Sequence, residues 1–168
     1  RDRNILKLSE ALKSERYSPS PLRGTKIPKD NGRFRRLGIP TIEDRVVFQG
    51  AHRLLSELWE PLFAPLSFAY RPGRSISDAV AAVAERIRSG KTWFVKGDIR
   101  GCFDTFNWDI LSARLREWLP DEALRRLVNR ALRVPIVEGG YIRRRCRGTP
   151  QGSPLSPLLA NLYLHAFD

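Results

Sequence analysis

Methionine is missing altogether from this chain, and its first residue is Arg1. A complete translation product starts with methionine, so a longer parent polypeptide is expected around these 168 residues. Cysteine is scarce: Cys102 and Cys146 are the only two, with the spacing of neither a metal site nor a secreted disulfide framework. Reduced thiols and a cytoplasmic location are the expectation. The two histidines, His52 and His165, fall in helical stretches without a partner pattern and are assigned no chemistry. No apolar run approaches the roughly 20 residues needed to span a bilayer, and the opening residues show no signal-peptide pattern, so no membrane partner is expected. Acidic residues are outnumbered, 18 against 30 Lys and Arg, which leaves a formal charge of +12. A surplus of that size points to a polyanionic partner, nucleic acid before anionic lipid.

With 42% hydrophobic residues, the chain has enough apolar surface for one core, in one domain or two lobes. It carries no internal repeat and no low-complexity tail. Ile5, Leu8 and Leu12 share a helical face, and Pro19 and Pro21 are expected to end that helix. Residues 25–40 read as two short basic strands around an Asp30-Asn31-Gly32 turn. Thr41 and Asp44 form a capping pattern ahead of a stripe of Val47, Ala51, Leu54 and Leu58. Ser75 and Asp78 cap the next helix, whose apolar face is Val80, Val83 and Ile87, with Gly90 as its stop. Residues 91–98, "KTWFVKGD", read as a strand. Helices follow over about 108–119 and 121–133, divided by Pro120. A hairpin turns at Gly139-Gly140, and a last helix has prolines in its first turn. Helices interleaved with mostly antiparallel strands imply an α+β protein of two lobes.

Within the 91–98 strand, alternation puts Trp93 and Val95 on a packed face, with Lys96 and Asp98 on the other. A carboxylate at the end of a buried strand is costly to desolvate unless a cation meets it. Lys96 or Arg100 can serve as that cation, and so can a metal ion. Residue type alone leaves both open. Phe103, five positions on, reads from its type as a core aromatic.

The wider pattern is more specific. "IPKDNG", "RRLGIPTIEDRVV", "FAYRPGRS", "DIRGCFD" and "GTPQGSPLSPLLANLYLHAFD" follow one another along the chain. In these segments, and in their order, the sequence resembles the reverse transcriptases of the group II intron lineage. That lineage includes intron-encoded maturases and CRISPR-associated reverse transcriptases. The resemblance implies the fingers and palm of a right-hand polymerase, with short antiparallel strands and packed helices. Residues 1–90 and 110–147 would be fingers, and 91–109 and 148–168 part of the palm. The family's next hairpin, with its two adjacent aspartates, and its thumb would lie beyond Asp168. These residues alone are therefore expected to extend no primer, whereas the parent would be an RNA-directed DNA polymerase.

The resemblance also implies roles. Asp98 matches the first catalytic aspartate and the Ile99 carbonyl its neighbouring backbone ligand, both for Mg²⁺, a hard cation that takes oxygen donors. Phe103 matches the residue that excludes a ribose 2′-hydroxyl. Gln151 and Gly152 match the loop beside the incoming nucleotide and template. Lys29 and Arg35 fall where finger strands reach the triphosphate, although Arg36 stands where the family usually has proline. Arg71, Gly73 and Arg74 form a Pro-Gly turn suited to a template backbone, and the basic run 143–147 sits beside Gln151. Asp104 is expected to cap a turn or hold local structure. The implied partners are an RNA template, a DNA or RNA primer, a deoxynucleoside triphosphate and the remainder of the parent chain. Two other classes remain open: a non-catalytic RNA- or DNA-binding module, and a structural domain of a splicing or CRISPR defence complex.

Overall fold

The computed structural model describes residues 2–28, 32 and 34–168. Lys29, Asp30 and Asn31 lie outside the described residues, and with them the triphosphate role expected of Lys29 and most of the expected turn. Helix α1 (Asp2–Lys13) stops ahead of the prolines expected to end it. Glu15 adopts a left-handed backbone there (φ 55°), and the Tyr17 amide donates to Ala11 O. Strands β1 (Leu22–Pro28) and β2 (Phe34–Ile39) pair antiparallel, from Arg23 opposite Ile39 to Pro28 opposite Phe34.

Helix α2 (Ile42–Trp59) begins at Thr41, whose side chain accepts from the Asp44 amide. Helix α3 (Ile76–Arg88) begins at the Ser75–Asp78 capping box. The short α4 (Cys102–Thr105) leads into α5 (Trp108–Trp118), capped by Asn107, and α6 (Glu122–Arg133), capped by Asp121. A side-chain oxygen at each of these caps satisfies amides that the first helical turn leaves without partners. Strands β3 (Ile136–Glu138) and β4 (Tyr141–Arg143) flank the Gly139-Gly140 turn, and α7 (Leu155–Leu164) closes the chain.

The sheet order is β2-β1-β3-β4. Its β1–β3 pairing is parallel, so the sheet is mixed rather than wholly antiparallel. The main core joins Val47, Phe48, Leu55 and Trp59 of α2 to Leu111 and Leu115 of α5, Val128 and Leu132 of α6, and Leu155 to Leu162 of α7. Each fully buried side chain of this size contributes about 1.5–3 kcal/mol. Helices α2 and α6, expected in the fingers, and α7, expected in the palm, thus share one core.

Three apolar faces differ from expectation. On α2 the inward stripe is Val47, Phe48, Ala51, Leu55 and Trp59, whereas Leu54 and Leu58 are exposed; those two leucines border an apolar cavity of about 470 Å³ with Leu12, Leu124 and Leu127. Ile5 of α1 is exposed, because only the later part of that helix, Leu8 to Leu12, reaches the core. Val80, Val83 and Ile87 of α3 are also exposed, and that helix buries no residue.

Residues 91–99 form no strand. Trp93 is 96% and Val95 99% exposed, so the expected packed face is absent, and Asp98 is exposed rather than at the end of a buried strand. The reason is hydrogen bonding. A strand needs a neighbour for its amides and carbonyls, and among the described residues no strand pairs with this segment. No described helix is long and apolar enough to cross a membrane.

Candidate active site

The site is built around the loop 148–152. Gly148 has φ 75°, a conformation that side chains rarely adopt. Its amide donates to Phe106 O (2.8 Å) and the next amide, of Thr149, to Phe103 O (2.6 Å). The Gly148 carbonyl in turn accepts from Trp108 Nε1 (2.7 Å) and Arg145 Nη1 (3.1 Å). This one peptide is held from both ends, which locks the loop against α4. On the other side the Gly38 amide of β2 donates to Gln151 O (2.8 Å). Gly152 (φ 105°) passes so close that a Cβ there would stand 3.1 Å from Gly38 O.

Four distant segments therefore converge on a cavity of about 420 Å³ bordered by Arg35, Leu37, Tyr70, Phe103, Gln151 and Gly152. Phe103 is half-buried at its wall. Its ring meets Tyr70 at 6.1 Å and 76°, and Phe106 at 6.1 Å and 58°. Gln151 Nε2 donates to Asp104 Oδ2 (3.2 Å), so Asp104 holds local structure, while Asn107 caps the following helix.

Asp98 lies three residues before Gly101, which also borders the cavity. Among the described residues it makes no ion pair, so the salt bridge with Lys96 or Arg100 does not form. The Cys102 thiol is pushed up from its ordinary pKa by burial and, second, by the Asp98 charge. The donor chemistry, a carboxylate and the neighbouring Ile99 carbonyl, suits a hard divalent cation. It is a partial set: no group of three or more His, Cys, Asp or Glu able to hold a metal occurs among the described residues.

Arg71 is not where a template contact would need it. It is 7% exposed, and its guanidinium is spent inside the protein. Nε and Nη2 donate to the Glu60 carboxylate, Nη1 to Ala64 O (2.6 Å) and Ser67 O (2.7 Å), and Nη2 also to Glu60 O. A buried Arg is tolerable only when its donors are satisfied in this way. Gly73 (φ 67°) turns the chain, and the exposed Arg74 donates to Pro65 O (2.9 Å) beside the Phe68 ring.

The basic run 143–147 divides likewise. Arg143, Arg144 and Arg147 are exposed and face Phe34, Arg35 and Arg36 across a second cavity of about 420 Å³ that also reaches Gln151. Arg145 turns inward over the Trp108 ring, with Nη2 donating to Leu132 O. Burial, and then the Arg143 charge, pull its pKa down to about 10. Trp108, Gly148 and Tyr70 were not singled out as expected site residues, although Gly148 opens "GTPQG", Tyr70 lies within "FAYRPGRS" and Arg145 belongs to the basic run 143–147.

Residues 27–168 match the family described as reverse transcriptase (RNA-dependent DNA polymerase). The group II intron-encoded protein LtrA of Lactococcus lactis subsp. cremoris is 36% identical over 168 residues, 99% of this chain and 28% of that protein. Protein YkfC of Escherichia coli K12 is 34% identical over 165 residues, 96% of this chain and 43% of its own length. Among solved structures, a partial Cas6-RT-Cas1–Cas2 complex superimposes with a TM-score of 0.65 at 27% identity, covering 99% of this chain and 29% of that one. The chain thus spans less than half the length of each of these relatives.

Proposed function

The chain belongs to the reverse transcriptase (RNA-dependent DNA polymerase) family, and from that premise we propose that it forms the nucleotide-selecting part of an RNA-directed DNA polymerase. The observation that carries this reading is the convergence of Arg35, Phe103, Gln151 and Gly152, from three separate segments, on one cavity. Residues 1–90 and 110–147 act as fingers, and 91–109 and 148–168 as part of the palm. The partners are an RNA template, a DNA or RNA primer and deoxynucleoside triphosphates.

Arg35, with Lys29, binds the triphosphate. Arg35 supplies a planar fork and Lys29 a point charge. Phe103 occupies the space a ribose 2′-hydroxyl needs, so a ribonucleotide is rejected by clash. Gln151 and Gly152 line the pocket beside the base pair, where glycine permits close approach. Gly73 and Arg74 contact the nucleic-acid backbone. Arg71 is left out, since its donors are committed to Glu60 and to main-chain carbonyls.

Asp98 and the Ile99 carbonyl would hold Mg²⁺ jointly with further oxygen donors supplied by the intact protein. Bound there, Mg²⁺ would neutralise charge in the in-line attack of a primer 3′-hydroxyl on the α-phosphate. A non-catalytic module would need the basic surface but not this arrangement of cation, ring and amide at one cavity. The test is template-directed extension by the intact protein on an RNA template. Incorporation of deoxynucleotides in preference to ribonucleotides is the expected result. Binding of the template-primer without any incorporation would return the protein to the class of binding modules.

A further inference from the structure

Tyr70 carries a cost that its own surroundings do not explain. Its backbone is left-handed (φ 58°), and only one other non-glycine among the described residues, Glu15, has a positive φ. For a bulky aromatic side chain that conformation is a genuine outlier. Burial does not compensate, because Tyr70 is 61% exposed. Glycine would adopt the same backbone freely.

The surrounding chain holds that backbone in place. Immediately before it, Ala69 O accepts from Asn161 Nδ2 of α7 (2.8 Å). Immediately after it, Arg71 is anchored through Glu60, Ala64 O and Ser67 O. Residues 69 and 71 are thus tied to two different parts of the protein, one through its carbonyl and the other through its guanidinium. The ring of this strained residue meets Phe103 in a T-shaped pair (6.1 Å, 76°), and Tyr70 borders the same cavity.

We infer that Tyr70 is a positioning residue for sugar selection, which braces the Phe103 ring against the nucleotide. Phe103 has a second aromatic neighbour in Phe106, whose ring stacks at 4.5 Å on Tyr163. Phe106 is buried, so this neighbour ties Phe103 to the packed interior. Without Tyr70, Phe106 is the one aromatic neighbour left to Phe103 among the described residues, and the ring is freer to swing aside when a 2′-hydroxyl presses on it. Backbone strain at functional sites is often retained for such placement. The inference rests on reading Phe103 as the sugar gate.

The experiment measures kcat/KM for deoxy- and ribonucleotides with the intact polymerase. It uses the parent, Tyr70→Phe, Tyr70→Gly, Phe103→Val and the double variant Tyr70→Gly/Phe103→Val, with thermal unfolding of each. An edge-to-face aromatic contact is worth enough that its loss should lower deoxy-over-ribo selectivity about two- to tenfold in Tyr70→Gly. The change should come from a lower KM for the ribonucleotide. Tyr70→Phe should keep parental selectivity, and Tyr70→Gly should add nothing once Phe103 is valine. Its thermal stability should equal or exceed the parent's, because glycine relieves the strain.

Parental selectivity in Tyr70→Gly, with selectivity lost in Phe103→Val, overturns the role of Tyr70 alone. A Tyr70→Gly effect that persists in full beside Phe103→Val overturns it too, because Tyr70 would then act on the nucleotide directly. So does a marked loss of thermal stability in Tyr70→Gly, which would make the ring a packing element. Unchanged selectivity in Phe103→Val removes the sugar gate itself, and the bracing role with it.

Discussion

A Cβ on Gly148 would stand 2.6 Å from the carbonyl oxygen of Phe103 and 2.7 Å from that of Asp104. Both obstacles are backbone, so neither can swing aside as a side chain would. The contact fixes the distance between the loop carrying Gln151 and the helical turn carrying Phe103. Adding the left-handed penalty to the clash, Gly148→Ala should cost about 2–5 kcal/mol. Urea unfolding of the intact protein measures it. A loss below about 0.5 kcal/mol, the range of ordinary surface changes, would mean that the two segments are not held together in this way.

Arg71 and Arg74, three residues apart, should respond in opposite ways. Arg71 is buried while the Glu60 carboxylate it pairs with (2.8 Å) is partly exposed, and removing its donors from Glu60, Ala64 O and Ser67 O in Arg71→Ala should cost about 1–3 kcal/mol of stability. Protein that still folds should keep the parental dependence of RNA affinity on salt. Arg74→Ala should leave stability within about 0.5 kcal/mol and reduce the slope of log affinity against log salt by about one. Filter binding across a salt series, beside thermal unfolding, reads both. A reduced slope in Arg71→Ala would restore it as a phosphate contact.

Tyr17 and Asp44 give the fold a pH dependence. The Tyr17 hydroxyl donates to Asp44 Oδ1 (2.5 Å), and the same carboxylate accepts from Thr41 Oγ1 (2.7 Å) and the Ser20 amide (3.2 Å). Burial first, then the hydrogen bond and charge of Asp44, raise the Tyr17 pKa far above its ordinary value of 10.0. The folded protein therefore keeps a proton that the unfolded chain releases above about pH 10. Stability from this group is complete below that pH and declines as pH rises beyond it. Tyr17→Phe should cost about 1–3 kcal/mol at neutral pH by leaving Asp44 short of a donor. It should also flatten the alkaline decline by about 1.4 kcal/mol per pH unit. An unchanged alkaline slope would show that Tyr17 ionises equally well when folded.

Much of this fold is legible because local chemistry decides it. Thr41 and Ser75 mark the starts of α2 and α3, and both caps form. Gly139-Gly140 marks the hairpin. Composition suggested the basic character of the surface, while the ordered motifs pointed to the family. What was not legible depends on partners distant in sequence. "TWFVKGD" alternates like a strand, yet no described strand pairs with it. Arg71 and Arg74 look alike in "YRPGRS", and only the position of Glu60 separates a buried anchor from an exposed cation. Arg145 reads as one more member of a basic run until Trp108 and Leu132 O are placed beside it. The left-handed backbone at Tyr70 lies between residues 69 and 71, whose contacts with Asn161 and Glu60 the sequence cannot show.

The central claim is that Asp98, exposed and unpaired among the described residues, serves chemistry and not the fold. Its most direct test compares primer extension and filter binding for the intact protein and its Asp98→Asn variant. Asparagine keeps the shape and removes the charge that a divalent cation requires. The account predicts that Asp98→Asn abolishes deoxynucleotide incorporation, with template-primer affinity and thermal stability at parental values. Robust extension by Asp98→Asn would contradict it.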